Sequence, residues 1–132
     1  VLDDSSAVRR ECAIALRHDK SKKAAKLWAE LAALHDGKDR WYLEALGLSS
    51  DLNADACFEA WLSKVGDKWN TPSGRDVIWR VRAKSAPNYL IKILKDEKIP
   101  PASHPRFVRA LDFHSGPERD KALESLLDIC LF

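Results

Sequence analysis

The stretch Ala54-Asp55-Ala56-Cys57-Phe58-Glu59-Ala60-Trp61-Leu62-Ser63-Lys64-Val65-Gly66 decides the fold class. Its apolar residues Ala54, Cys57, Phe58, Trp61, Leu62 and Val65 recur at steps of three and four, which puts them on one side of an α-helix. Gly66 closes it. Working outward, the same period returns on the N-terminal side. Val8, Cys12, Ala15 and Leu16 define a first helix, with Ser5 or Ser6 as N-cap. Ala24, Leu27, Trp28, Leu31 and Leu34 define a second, stopped by Asp36-Gly37. Trp41, Tyr42, Ala45 and Leu46 define a third, opened by Asp39.

On the C-terminal side a polar break, 67–74, carries Asn70-Thr71-Pro72-Ser73. The pattern then predicts a fifth helix over 75–83. Pro87, Pro105 and Pro117 mark the first turns of three more. These bear Leu90, Ile91 and Leu94, then Phe107, Val108 and Leu111, then Ala122, Leu123, Leu126, Leu127 and Cys130. Ile99-Pro100-Pro101 is a loop. The five glycines read as punctuation at helix ends. Eight short helices are expected.

Composition agrees. Alanine and leucine number 17 each in 132 residues, whereas valine, isoleucine and threonine together make 13. That excess of helix formers argues for an all-α protein and against a sheet-based enzyme fold. The length suits a single domain, 1–132. No apolar run approaches 18 residues and no signal peptide is visible at the start. Methionine is absent even from position 1, so the chain is expected to be a piece of a longer protein.

The helices also repeat in pairs. Ala15-Leu16 falls on Ala45-Leu46 at a step of 30. Tyr42-Leu43-Glu44-Ala45-Leu46 falls on Phe107-Val108-Arg109-Ala110-Leu111 at a step of 65, with Ile78 between them, 36 on from Tyr42. Periods of about 30 residues, one helix pair each, mean an α-solenoid. The expected architecture is a right-handed α-α superhelix of about four pairs, armadillo-type. A four-pair bundle without repeat symmetry is the alternative.

Ser5-Ser6-Ala7-Val8-Arg9-Arg10-Glu11-Cys12-Ala13-Ile14-Ala15-Leu16 resembles the second-helix signature of HEAT repeats, in which a valine-arginine pair precedes a small-residue stripe ending in Ala-Leu. A second resemblance runs through Asp39-Arg40-Trp41-Tyr42-Leu43-Glu44-Ala45-Leu46-Gly47, Ala56-Cys57-Phe58-Glu59-Ala60-Trp61-Leu62 and Trp69-Asn70-Thr71-Pro72-Ser73-Gly74-Arg75-Asp76-Val77-Ile78-Trp79-Arg80. These stretches are similar to the HEAT-like region of planctomycete-type multidomain proteins. In those, a membrane-bound dehydrogenase or propeller domain precedes the repeats and a haem-binding cytochrome c module follows. The resemblance implies a connecting or docking domain of a bacterial redox protein, periplasmic or exported. No CxxCH stands in this chain, so any haem lies elsewhere, and no catalytic or cofactor residue carries over.

Little else points to chemistry. Cys12, Cys57 and Cys130 stand too far apart for a disulfide framework, and no CxxC exists. Cys12 and Cys57 read as small buried hydrophobes. The histidines, His18, His35, His104 and His114, form no metal-binding spacing, and no phosphate-binding or nucleophile-elbow motif occurs.

The informative feature is charge. Net charge is +2 overall, but 72–110 holds nine basic residues against three acidic ones. Arg75, Trp79 and Arg82 fall at steps of four, three and seven and are expected to share a face of the fifth helix. Trp69 sits in the loop beside them. These four are the candidate partner-binding residues, facing an acidic protein surface or a neighbouring domain of the same parent chain. The plainer reading has the arginines pairing Asp76 and acids of the neighbouring repeat. Trp28 and Trp61 are core residues, and Trp69 clamps a loop. The function expected is that of a non-catalytic interaction or spacer domain without a cofactor. The rivals are nucleic-acid binding of the HEAT-like DNA glycosylase type, against which the low net charge speaks, and a lyase-like helical enzyme.

Overall fold

The computed structural model describes residues 5–130, with the side chain of Cys130 outside the description. Among them are eight α-helices and no strand: α1 (Ser6–Ala15), α2 (Lys22–Ala33), α3 (Arg40–Ser50), α4 (Ala54–Val65), α5 (Pro72–Arg80), α6 (Ala86–Lys95), α7 (His104–Ala110) and α8 (Pro117–Cys130). Single 3-10 turns follow α4 (Gly66–Trp69), precede α7 (Pro101–Ser103) and follow it (Leu111–Phe113).

The starts are written in the sequence. Ser5, Ser21, Asp39 and Thr71 each accept a hydrogen bond from the backbone N–H three residues on, satisfying a donor that the helix itself cannot. Proline occupies the first turn of α5, α6 and α7, where its missing N–H costs nothing.

Packing follows alternate helices. α1 lies on α3, α3 on α5 and α5 on α7, while α2 lies on α4 and α6 on α8. Tyr89 of α6 meets Phe58 of α4 edge-on at 5.5 Å. Between the two rows runs one core, whose largest members are Trp28, Trp61, Tyr42 and Phe58. The Trp28 indole N–H donates to the Leu46 carbonyl at 2.9 Å, and the Tyr42 hydroxyl donates to the Leu31 carbonyl, so both rings are buried with their polar atoms satisfied. The aligned positions Tyr42, Ile78 and Phe107 are all buried, as are Ala45 and Ala110.

Several expectations are corrected. α5 runs from Pro72 to Arg80 rather than over 75–83, because Val81 is extended. Val81 and Ala83 are then buried on one side and Arg82 is left on the other, the period of a strand-like segment. In α1 the side facing α3 carries Ala13, at 0% exposure, and Arg9 over the Tyr42 ring at 5.7 Å. The expected ladder Val8, Cys12 and Ala15 is therefore exposed, and Cys12 is no core residue. Cys57 is, and burial pushes its thiol up to about 11. Trp41, Leu34, Leu123 and Leu127 are also exposed, and Leu62 is half-buried. In α3 the buried side carries Tyr42, Leu43, Ala45 and Leu46, and Trp41 is left outside it.

Two glycines are not punctuation. Gly47 lies inside α3, where a Cβ would stand 2.2 Å from Arg80 Nε, so its absence lets the arginine cross the helix. At Gly74, in the first turn of α5, a Cβ would meet the Trp69 carbonyl oxygen at 2.0 Å. Close approach demands glycine at both.

His114 follows the last 3-10 turn and is buried with its Nε2 unpartnered. Burial, aided by the Arg82 charge, brings its pKa down to about 4. Between pH 4 and the ordinary value near 6.5 the unfolded chain thus binds a proton that the folded chain refuses, and stability falls as pH falls. Unfolding free energies from urea melts should be lower at pH 4.5 than at pH 7 by roughly 1–3 kcal/mol, and His114→Asn should flatten that slope. An unchanged slope in the variant would show that His114 does not titrate as placed.

Candidate protein interface

The four candidate residues separate into two groups. Arg75 Nη1 donates to Asn70 Oδ1 at 2.8 Å, and Asn70 Nδ2 donates to Asp96 Oδ2 at 2.8 Å, so Arg75 ties the entry of α5 to the end of α6. Trp69 meets Tyr89 edge-on at 5.2 Å and clamps the turn onto the core. Trp79 and Arg82 do come together, though by another geometry than a shared helix face. Arg82 Nη1 reaches back from beyond the helix to the Trp79 carbonyl at 3.0 Å, an orphan acceptor at the C-terminus of α5. Its guanidinium lies 4.1 Å from the centre of the Phe113 ring, and burial lowers its pKa from the ordinary arginine value.

Much of the positive charge of 72–110 is spent internally. Arg80, its side chain only 10% exposed, forks between Glu44 and Asp51, at 3.2 and 3.1 Å, across the space that Gly47 leaves. Burial works against its charge, but Asp51 and Glu44 outweigh it and hold the pKa above the ordinary value. Asp76 accepts from Arg106 Nη1 at 2.7 Å and pairs with His35 Nε2 at 2.9 Å. Burial would raise that carboxyl, and the bonds from His35 and Arg106 overturn it, so Asp76 titrates below the usual carboxylate value. The plainer reading, arginines on Asp76 and on acids of a neighbouring pair, describes Arg80 and Arg106. His35 stacks on Tyr42 and its Nδ1 is buried without a partner. The His35–Asp76 pair ties the end of α2 to α5.

Three arginines, Arg106 and Arg82 among them, also lie over aromatic rings. Arg40 lies 5.6 Å from the Trp41 ring, Arg106 is 4.3 Å from Trp79, and Arg82 covers Phe113. Trp41 is 66% and Phe113 63% exposed. These residues come from α3, α5, α7 and the segments that follow them, the same row of alternate helices. A groove of about 400 Å³ between α3 and α5 joins Lys38, Arg40, Trp79 and Arg106, with Asp39 and Asp76 on its walls. A second open groove, about 490 Å³, lies between α1 and α3 under Ile14, Trp41, Ala45 and Leu48, with Arg10 and Glu44 at its rim. A guanidinium stacked on a ring can bind a carboxylate through its edge, although Arg106 already gives Nη1 to Asp76 and Arg82 gives Nη1 to Trp79, and the rings offer large apolar area with few rotatable bonds.

Sequence reasoning missed Trp41, Arg40, Arg106 and Phe113. The repeat overlay gave no signal at Trp41, since Val77, which precedes Ile78 as Trp41 precedes Tyr42, is buried. Phe113 gave none either, because it lies in a 3-10 turn beyond the helical period.

Among the described residues no group of three or more His, Cys, Asp or Glu side chains is placed to hold a metal ion, and no helix is long and apolar enough to cross a membrane. No family model, no curated protein and no solved structure matches this chain.

Proposed function

We propose that this chain is a non-catalytic helical-repeat domain that docks or spaces other domains, its helix pairs stacked as a HEAT-like, armadillo-type solenoid. The packing of alternate helices on one another and the burial of aligned repeat positions support the stacked arrangement. The observation that carries the function is the row of arginine–aromatic pairs, Arg40–Trp41, Arg106–Trp79 and Arg82–Phe113, in which Trp41 and Phe113 are exposed while Trp79 and Arg82 are half-buried. Tryptophan and arginine are the residue types that anchor interfaces, and an exposed ring beside a guanidinium suits an acidic surface with apolar contacts.

The partner is an acidic face of a neighbouring domain in a longer parent chain. Tethering keeps such a neighbour at high effective concentration, so a weak contact suffices. The resemblance to planctomycete-type dehydrogenase and cytochrome c proteins is the ground for placing the domain in an exported redox protein, with its haem outside this chain. Arg75 and Trp69, which brace the α4–α5 turn, support the interface from behind, while Trp79 and Arg82 stand in it.

The test is the double substitution Trp41→Ala with Phe113→Ala in the full-length parent. Both rings are mostly exposed, so the melting temperature should stay within a few degrees of wild type. Small-angle scattering should show a larger radius of gyration as docking loosens. An unchanged scattering curve would overturn the interface. Tight binding to random duplex DNA with a steep loss in salt, unaffected by the double substitution, would favour the glycosylase-type alternative instead.

A further inference from the structure

The row formed by α2, α4, α6 and α8 has two ends, and they differ from its middle. Neither α4 nor α6 exposes a large apolar side chain. The end helices do. Leu34 caps the C-terminus of α2 and is exposed, seven residues on from the half-buried Leu27. On α8, Leu123 and Leu127 stand one turn apart, the second at 64% exposure. Ala122 of that helix is buried and Leu126 and Ile129 pack against the core, so the exposed leucines point the other way. A stack of helix pairs ordinarily finishes each end with a polar outer face. Here neither end of the row is so finished.

Charge says what covers them. Beside the α8 leucines runs a line of exposed carboxylates spaced by four, Asp120, Glu124 and Asp128. Asp120 takes Arg119 Nε at 3.2 Å. Glu124 and Asp128 have no ion-pair partner among the described residues. Beside the α2 leucines stand Lys23 and Lys26, both exposed and likewise unpaired among the described residues. The minority charges on the two faces are opposite as well, Glu30 on α2 and Lys121 on α8. The two ends therefore match each other, leucines to leucines and ammonium groups to carboxylates. Neither matches itself, since α8 against α8 would set carboxylate against carboxylate.

We propose that a second copy of this chain covers each end, the α8 of one molecule lying on the α2 of the next, so that the row continues from molecule to molecule. Such a head-to-tail contact is heterologous. Every pairing leaves one α2 and one α8 open, and assembly proceeds beyond the dimer unless it closes into a ring. The contact shares no residue with the arginine–aromatic row and does not depend on the docking reading.

Sedimentation velocity of the 132-residue chain, from about 10 μM to about 1 mM, should show an average mass that rises with concentration and falls back in high salt. Leu123→Ser with Leu127→Ser should weaken association by about tenfold or more. The helical circular dichroism should stay unchanged, because both side chains are exposed. Lys23→Glu with Lys26→Glu, and separately Glu124→Lys with Asp128→Lys, should each leave a monomer. Mixed in equal amounts, these two reversed variants should associate again, since the α2 of each then matches the α8 of the other. A chain that stays monomeric throughout that range would overturn the proposal and leave the two ends to other segments of a parent chain. Association that survives the lysine reversal, or reversed variants that stay monomeric when mixed, would overturn it too.

Discussion

Trp61→Ala is expected to lower stability by about 3–5 kcal/mol, the range for removing a large aromatic side chain from a packed core. Trp61 is almost wholly buried and stacks on Phe58 at 5.9 Å. Phe58 meets Tyr89, which in turn meets Trp69, so one chain of rings joins α4 to α6 and to the turn before α5. Cutting it should loosen both rows. Trp41→Ala removes the same number of atoms from an exposed site and should cost under about 0.5 kcal/mol. Urea melts of the two variants decide the matter. If Trp61→Ala costs less than about 1 kcal/mol, the ring does not join the rows as described.

Gly47→Ala is the second large effect, and its sign is the informative part. Inside an ordinary helix, alanine in place of glycine stabilises by roughly 0.5–1 kcal/mol. Here the new methyl would stand 2.2 Å from Arg80 Nε and 2.6 Å from Arg80 Cγ, too near the root of the side chain for a simple swing of its tip. Arg80 would have to leave Glu44 and Asp51 with its guanidinium still largely shielded from water. Breaking a fully buried pair costs about 3–5 kcal/mol, and because both carboxylates are partly exposed the expected loss is about 2–4 kcal/mol. In an Arg80→Ala background the same change should turn neutral or favourable. Equal cost in both backgrounds would mean that Gly47 answers to something other than Arg80.

The helices were legible because their signals are local. Periodicity, serine and aspartate caps, and prolines in first turns needed no knowledge of the partner helix, and they place α4, α6, α7 and α8 well; the Thr71 cap of α5 was read as part of a polar break. What was not legible depends on which side of a helix meets its neighbour. The apolar residues of α1 span much of its circumference, and only contact with α3 selects Ala13 over Val8, Cys12 and Ala15. The break after Arg80 is set by burial of Val81 and Ala83, a tertiary effect that overrides the continuing helical pattern and carries Arg82 out of line with Arg75. For the candidate site, Trp79 and Arg82 were legible as residues but not as a geometry. Glu44, Asp51 and Asp76 neutralise arginines 29 to 36 residues away, which composition along the chain cannot reveal.

Hydroxyl-radical footprinting with mass spectrometry, run on this chain alone and on the full-length parent, tests the docking reading most directly. In the isolated chain Trp41 and Phe113 should oxidise readily, as their exposure requires, while Trp28 and Trp61 stay protected. In the parent, Trp41 and Phe113 should be protected by about fivefold or more, as rings closed into an interface core are. Equal oxidation of both residues in the two samples would contradict a docking role for the arginine–aromatic row.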